Sequence, residues 1–199
     1  MITTRLSEQN APGVPSMTVV AESGRATLLT AGMVVAEREG LQRLSINAVV
    51  EEAGMAKGTF YRHFPNRHTY LVALYRQFFT LISARVAEAI RGMAPGPDRL
   101  AVSVDAFLDA CLHSCGTEAF MLQAQSDPGL RTEIAQRREG FLAASRPDMV
   151  AVGWSDPDAA SMLKVAMVRE ICIAELDTRA PRADLRAAAK AMLAGRPPR

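Results

Sequence analysis

The chain has 199 residues, of which 49% are hydrophobic, and its 23 basic and 21 acidic side chains give a formal net charge of +2. This length and composition predict a packed globular protein of one or two domains. The first residues lack the apolar core of an export signal, and no later run approaches the roughly 18 apolar residues of a membrane span. We therefore expect a cytoplasmic protein with no membrane partner.

Residues 1–17 combine two prolines, a glycine and small polar residues without periodicity, which predicts a mobile tail. Arg5 could reach a DNA minor groove from this tail, although a single arginine in such a segment is more commonly solvated. The next segment predicts a first helix that starts within residues 18–25 and ends near Gly40. Its apolar side is formed by Leu28, Leu29, Ala31, Val34 and Val35.

Residues 44–64 predict two short helices joined by a tight turn. Ser45 is suited to cap the first of them, because its hydroxyl can accept a free backbone amide at the helix start. Gly54 is expected to end that helix, since glycine adopts a left-handed backbone conformation without cost. The second helix is predicted over residues 57–63, and Phe64-Pro65 stops it.

The second short helix carries side chains suited to a polyanion. Most of its residues can donate hydrogen bonds, two of them are cationic, and Gly58 would let the backbone approach a ligand closely. Residues 53–91 hold six basic and one acidic side chain, a net charge of +5, whereas residues 93–199 hold 13 basic and 14 acidic ones. An ordinary solvated helix face is the alternative interpretation, but such a face mixes acids with bases.

The stretch AGMAKGTFYRHFPNRHTYL, residues 53–71, is similar to the helix-turn-helix signature of the TetR family of bacterial transcriptional regulators. The preceding SGRATLLTAGMVVAEREGL, residues 23–41, resembles the first helix of that family, and the similarity covers about residues 23–90. The resemblance implies a recognition helix at residues 57–63 that enters the major groove. The chain departs from the family pattern at Met55, at Ala56, where a capping Ser or Thr is usual, and at His68, where an acid is usual.

The resemblance and the donor-rich helix together define a predicted DNA-contacting set. By the resemblance, Lys57, Gly58 and Thr59 would reach bases or phosphates, Tyr61 and His63 would contact phosphates, and Arg67 would grip the DNA backbone. The whole predicted set is Ser45, Lys57, Gly58, Thr59, Tyr61, Arg62, His63 and Arg67.

A long helix is predicted after the helix-turn-helix, because apolar residues recur every three or four positions over residues 66–91. Asn66 is a suitable cap, and 26 residues would span about 39 Å. This helix, within a segment of residues 66–92, would link a helix-turn-helix domain of residues 18–65 to a helical body of residues 93–199. A cluster of glycines and prolines at residues 92–97 marks the boundary.

The body is predicted to be helical throughout, so the fold class is all-α. Helices are expected over residues 98–115, with Asp98 as the cap, and over residues 117–125, 128–145, 157–177 and 185–192. Arg146-Pro147 is expected to break the third of these, and residues 149–154 are left unassigned. The last four residues are expected to be frayed.

The helix predicted over residues 157–177 has little polar face, so we expect a second copy of the chain to cover part of it. The family resemblance implies a homodimer joined by the last two helices of each subunit. The predicted dimer residues are Leu163, Met167, Ile171, Leu185, Ala189 and Met192. Two heads about 34 to 36 Å apart would read both halves of a palindromic operator.

A pocket for a small, largely apolar effector is predicted inside the body. Its expected lining is Phe78, Ile82, Phe107, Cys111, Phe120, Met121, Met162 and Met167. Residues of these types at helical spacing are more commonly ordinary core. By analogy with the family, binding of the effector would release a repressor from its operator.

Three other interpretations were weighed. Cys111, His113 and Cys115 suggest a metal site, but His113 lies off the shared helix face and a fourth ligand is missing, so we predict no metal and no cofactor. A Cys111–His113 nucleophilic pair lacks an orienting third group, so we predict no enzyme activity. A helix-turn-helix protein that acts as a protein–protein adaptor, without ligand control, is the alternative function.

Overall fold

The structure is a computed structural model that describes the backbone of residues 17–195 and the side chains of residues 23–195. Of the tail predicted over residues 1–17, residues 1–16 with Arg5 lie outside the described residues, as does the frayed end predicted for residues 196–199, and Met17 begins the first helix. Within the described part of the chain there are nine α-helices and no β-strand, which confirms the all-α prediction. The α-helices are α1 Met17–Glu39, α2 Ile46–Glu52, α3 Lys57–His63, α4 Arg67–Ala89, α5 Pro97–Leu112, α6 Thr117–Met121, α7 Arg131–Val152, α8 Pro157–Thr178 and α9 Ala183–Ala194.

We call α1–α3 the head and α5–α9 the body, and α4 runs from one to the other. The head is held together by aromatic rings. The ring of Tyr70 on α4 lies 5.0 Å from that of Phe60 and 4.9 Å from that of Phe64, and its hydroxyl donates to the Leu28 carbonyl at 2.7 Å. Gly32 on α1 lies directly against this hydroxyl, so a larger residue there would collide with it.

Helix α4 continues into the body as one wall of an aromatic core. Its Phe78 ring stacks on that of Phe120 from α6 at 5.0 Å, and its Phe79 ring lies 5.9 Å from that of Phe141 on α7. Asn66 caps this helix by accepting from the Thr69 amide at 2.9 Å, as the sequence predicted.

Helix α7 corrects one sequence prediction, because Pro147 lies inside it instead of ending it. A proline removes one backbone hydrogen bond from a helix, and the next turn here is anchored well enough to tolerate this loss. Asp148 accepts from the Gly96 amide at 3.0 Å and from Arg99 at 2.8 Å. The helix ends at Gly153, whose φ of 94° is left-handed.

Smaller differences concern helix ends in the body. The predicted cap Asp98 lies within the first turn of α5, which starts at Pro97 after Gly96 and ends at Leu112 instead of residue 115. The helix predicted over residues 117–125 is α6 followed by a 3₁₀ turn at Gln123–Ser126. Pro128 begins a second 3₁₀ turn, Pro128–Leu130, and α7 starts after it.

Helix α9 is fastened to the body by a buried ion-pair network. Arg186 donates to both carboxylate oxygens of Glu175, at 2.6 and 2.7 Å, and to Asp109 at 2.6 Å. Glu175 is only 1% exposed, so its charge is stable there because the guanidinium satisfies it. The indole of Trp154 also donates to the Leu193 carbonyl at 3.0 Å.

Helix α8 has two different apolar faces. Val168, Ile171 and Cys172 point into the body and are buried. Met162 and Leu163 point outward and remain 49% and 56% exposed.

No helix in the described part of the chain combines the length and the apolar character needed to cross a membrane.

Candidate nucleic-acid interface

The turn between α2 and α3 forms as the sequence predicted. The Ser45 hydroxyl accepts the Ala48 amide at 3.1 Å and caps α2. Gly54 has a φ of 62°, and the Met55 amide donates to the Val50 carbonyl at 2.9 Å, which closes the turn. Ala56 precedes α3 without a side-chain cap, so the start of that helix lacks the hydroxyl that a serine or threonine would supply.

Helix α3 has one buried and one open face. Phe60 is fully buried among the head aromatics and fixes the helix to α1 and α4. Lys57, Gly58, Tyr61 and Arg62 are exposed on the other side, with Tyr61 49% accessible. The helix therefore presents its cationic and phenolic groups outward from a rigid base.

The remaining predicted α3 residues are held more closely by the head. Arg62 donates to the Thr59 hydroxyl at 3.0 Å, which orients both side chains on the same edge of the helix. His63 is half-buried, and its imidazole lies against Gly24 of α1. Arg25 on α1 stacks over the Phe64 ring at 5.2 Å and adds another cation beside this edge.

The structure gives Arg67 a position that differs from the sequence prediction. Its Nε donates to the Leu44 carbonyl at 2.9 Å and its Nη2 to the Leu41 carbonyl at 3.0 Å. These protons are used within the head, where they fix the segment between α1 and α2 to the start of α4. Arg67 therefore positions α2. The predicted contact of Arg67 with the DNA backbone stays a prediction, and the two donors that bind Leu44 and Leu41 do not support it.

Two contacts between head and body were missed by the sequence analysis. The Glu37 carboxylate of α1 accepts the Gly116 amide before α6 at 2.6 Å. The Gln123 side-chain oxygen accepts the Leu41 amide, also at 2.6 Å. Both contacts join the end of α1 and the residues after it to the α6 region.

The predicted pocket residues lie in two different places. Phe78, Ile82, Cys111, Phe120 and Met121 are buried together in the body core, and Phe107 and Met167 are half-buried. The prediction that Met162 lines an interior pocket is wrong, because its side chain points away from this core into the open groove between α7 and α8. An apolar side chain at that position of α8 faces outward, since the inward face is occupied by Ser161 and Val168.

The predicted dimer residues also divide. Leu163 and Met192 are 56% and 64% exposed, and Met167 and Leu185 are half-buried. Ile171 and Ala189 are 6% and 4% exposed, so the chain itself already covers them. The periodicity identified an apolar helix but could not say which of its faces the same chain would cover.

The cysteines are distributed between core and surface. Cys111 and Cys172 are buried close to each other, and hydrogen bonding to Cys172 together with burial raises the pKa of the Cys111 thiol. Cys115 is exposed, and the His113 imidazole Nδ1 lies 2.8 Å from the Asp109 carbonyl. Among the described residues, His, Cys, Asp and Glu side chains do not gather in groups of three that could hold a metal ion.

These features define an all-helical protein with an N-terminal helix-turn-helix and a helical body that is joined to it by α4 and by the Glu37 and Gln123 contacts. Residues 28–74 match the sequence model of the bacterial regulatory proteins of the tetR family. The helix-turn-helix segment of this chain is therefore that of the tetR family, as the resemblance in the sequence implied.

Individual relatives match only part of the chain. It is 23% identical over 117 residues to the fatty acid metabolism regulator protein of Bacillus subtilis, which covers 58% of this chain and 60% of that protein. It is 33% identical over 72 residues to the HTH-type transcriptional repressor KstR of Mycobacterium tuberculosis, which covers 36% of this chain and 33% of the repressor. Both matches span less than two thirds of the relative.

The fold is similar over a longer stretch. The crystal structure of the transcriptional regulator FadR from Bacillus subtilis, in complex with stearoyl-CoA, superposes with a TM-score of 0.69 at 20% identity. The superposition covers 84% of this chain and 95% of that chain. At this level of identity the similarity establishes a shared fold.

Proposed function

We propose that this chain is a ligand-responsive transcriptional regulator that binds a palindromic DNA operator as a homodimer. The observation that carries the proposal is the open face of α3, which presents two cations and a phenol from a helix whose other face is locked by Phe60. Such a face suits duplex DNA, because cations neutralise phosphates and neutral donors bind phosphate oxygens or base edges.

The shape of α3 supports entry into the major groove. A Cβ atom added at Gly58 would meet no atom of the described chain within 4 Å, so the backbone at the start of the helix is open to close approach. Lys57 and Tyr61 flank this opening, one helical turn apart. We assign contacts with bases or phosphates to Lys57, Gly58, Thr59, Tyr61 and Arg62, and assign Arg67 to holding α2 in place.

The outward face of α8 supports a homodimer. Three of the seven large hydrophobic side chains that stand exposed in the described chain are Met162, Leu163 and Met192, on α8 and α9. Exposed alanines at residues 159 and 166 extend the α8 strip at helical spacing. A second copy, related by a two-fold axis, would cover this strip with the same strip of its own.

The palindromic operator follows from that symmetry. One seven-residue helix reads few base pairs, whereas two heads fixed by a dimer read two half-sites one helical turn apart, about 34 to 36 Å. The spacing of the heads then becomes part of the specificity.

Control by an effector is proposed through α4 and the α1–α6 contacts. An effector that binds the body more tightly when the heads are wrongly spaced shifts the population away from the DNA-binding state. The Glu37 and Gln123 contacts give such a change a direct route to the head. Repression is proposed on the example of the KstR repressor, and ligand binding on the example of FadR, whose crystal structure contains stearoyl-CoA. Release from the operator by a small, largely apolar effector is part of our own proposal.

The test is footprinting of the purified protein on fragmented genomic DNA. We expect protected sites with two inverted half-sites about one helical turn apart. Protection without a common sequence would contradict the palindromic operator, and no protection at all would contradict DNA binding and favour the adaptor alternative.

A conservative substitution then tests the contact face. Tyr61→Phe removes one hydroxyl from an exposed ring in each head and should weaken operator binding about five-fold per head, or about 25-fold for the dimer, without loss of fold, in line with one lost hydrogen bond per head. Tyr75→Phe removes a hydroxyl from the body and serves as the matched control in ligand-free protein.

A further inference from the structure

A half-buried guanidinium in the body, that of Arg137 on α7, has no role in the contacts described so far. Its central carbon lies 5.4 Å from the centre of the Phe79 ring and 5.8 Å from that of the Phe141 ring. Within the described part of the chain, no carboxylate oxygen lies within the 4.0 Å of an ion pair with Arg137.

The nearest acid is already engaged. Glu133, one turn earlier on α7, accepts from Arg76 at 2.7 and 2.6 Å in a two-point ion pair. Arg76 and Arg137 thus share one carboxylate, which leaves a local excess of one positive charge. A partly desolvated cation without a direct partner is a favourable place for an incoming anion, because a charge-assisted hydrogen bond is strongest where water is scarce.

A second unpaired donor lies beside Arg137. The hydroxyl of Tyr75 on α4 makes no hydrogen bond to any described residue. Every fully buried side-chain polar atom in the described chain has a hydrogen-bond partner, so the Tyr75 hydroxyl is not fully buried and keeps contact with solvent. Burial of the ring raises the pKa of Tyr75 to about 12. The Tyr75 ring lies 4.8 Å from that of Phe79, the same ring over which the Arg137 guanidinium lies at 5.4 Å. Tyr75 is therefore a neutral donor next to the guanidinium.

The surroundings of these donors are aromatic. The Phe141 ring meets that of Phe107 on α5 edge-on at 5.6 Å, and that of Phe79 at 5.9 Å. Phe107 and Phe141 are half-buried, so part of each ring remains accessible to solvent. Helix α7 packs along α8 for most of its length and meets α4 at fewer positions, where the Arg76–Glu133 ion pair and the Phe79–Phe141 ring contact join the two helices.

We propose that Arg137 and Tyr75 bind the carboxylate of an apolar monocarboxylate effector whose hydrocarbon part lies against Phe79, Phe107 and Phe141. The guanidinium donates two parallel hydrogen bonds and the phenol a third, while the rings supply apolar contact. This assignment rests on the proposed effector control and narrows its chemistry to an anionic amphiphile. Phe79 lies on α4, so an occupied site displaces the helix that leads to the head.

The experiment measures binding to the full-length protein by titration calorimetry, with decanoate and 4-phenylbutyrate as probes. Their primary amides keep the apolar part and remove the charge, and inorganic phosphate keeps an anion and removes the apolar part. We expect a carboxylate to bind at least ten-fold more tightly than its amide, and phosphate to give no measurable heat.

Substitutions test whether Arg137 and Tyr75 bind the carboxylate. Arg137→Met should weaken carboxylate binding about 10- to 100-fold and leave amide binding unchanged, as expected for a lost charged hydrogen bond. Tyr75→Phe should weaken it about five-fold. Arg138→Met removes the same charge from the next, exposed position and should change nothing.

The results distinguish failure of the carboxylate site from failure of the proposed regulatory function. Equal affinities for acid and amide, full affinity in Arg137→Met, or no binding of either carboxylate would overturn the assignment. The acid–amide comparison uses the unaltered protein, so it does not depend on the variant folding. Operator protection without ligand is measured independently, and release by a neutral probe would retain effector control while refuting the anionic site.

Discussion

Lys164 provides a quantitative test of how the body is packed. Its ammonium group is half-buried between α5, α7 and α8, and its one hydrogen bond within the described chain is donated to the Ser103 hydroxyl at 3.1 Å. Burial lowers the pKa of Lys164 from 10.5 to about 8; nearby Asp148 opposes this effect and Arg99 adds to it. The fold therefore disfavours the charged form of this amine.

The free-energy cost of burying the charged Lys164 side chain, and the pH dependence of this cost, follow from the lowered pKa. A pKa of about 8 in place of 10.5 corresponds to about 3 kcal/mol against the charged form. Between about pH 8 and pH 10.5 the unfolded chain binds more protons than the folded one, so the contribution of Lys164 to stability rises with pH in this range. Below about pH 8 both states are protonated and the full cost remains.

Substitution of Lys164 by methionine should therefore stabilise the protein at neutral pH. Methionine has a similar shape and no charge, and the Ser103 hydroxyl keeps its bond to the Leu100 carbonyl at 2.8 Å. After about 1 kcal/mol for the lost hydrogen bond, we expect a gain of about 2 kcal/mol at pH 7 that vanishes by pH 10.5.

The assay is urea denaturation of both proteins at pH 7 and pH 10.5, at one fixed protein concentration. Lys190→Met is the control, because the ion pair of Lys190 with Asp105 at 2.7 Å lies nearer the surface and should contribute less than about 1 kcal/mol. A Lys164→Met protein that is less stable at pH 7, or whose advantage persists at pH 10.5, would refute the reasoning.

Three further predictions concern the dimer and the head. Leu163→Glu should yield monomers in sedimentation analysis, whereas Leu81→Glu, at a position 50% exposed on α4, should leave the dimer intact; equal behaviour would refute the α8 interface. Gly32→Ala should lower the free energy of unfolding by about 2 kcal/mol, because the added methyl collides with the Tyr70 hydroxyl. Gly58→Ala, in open space, should raise that free energy by about 0.5 to 1 kcal/mol in thermal melts and yet weaken operator binding, since only the bound DNA would meet the methyl.

The sequence predicted the helix-turn-helix correctly because its signals are local. Ser45, Gly54 and Asn66 each act within three residues of their own position, through a cap or a left-handed turn. The sequence analysis did not identify Phe60 as the anchor of α3, although the helical period puts it on the side away from the exposed donors.

The rest of the site depends on contacts between residues far apart in the chain. Glu37 meets Gly116 across 79 positions, and no periodicity encodes that contact. The family resemblance assigned Arg67 to the DNA backbone. Its two carbonyl partners lie in a loop more than 20 residues earlier, so the sequence around Arg67 does not reveal them. Pro147 was expected to end a helix, but Asp148 holds the next turn through partners on α5 that the local sequence does not reveal.

The central claim is that α3 enters duplex DNA as a cationic probe, and salt dependence tests it most directly. The measurement is the operator dissociation constant by fluorescence anisotropy over a series of salt concentrations, for the unaltered protein, Lys57→Ala and Arg85→Ala. Lys57→Ala should weaken binding and lower the slope of log affinity against log salt by about two per dimer, one for each head. Arg85→Ala removes an equal, exposed charge from α4 and should leave both values unchanged. Identical affinity and slope for Lys57→Ala and the unaltered protein would contradict the account.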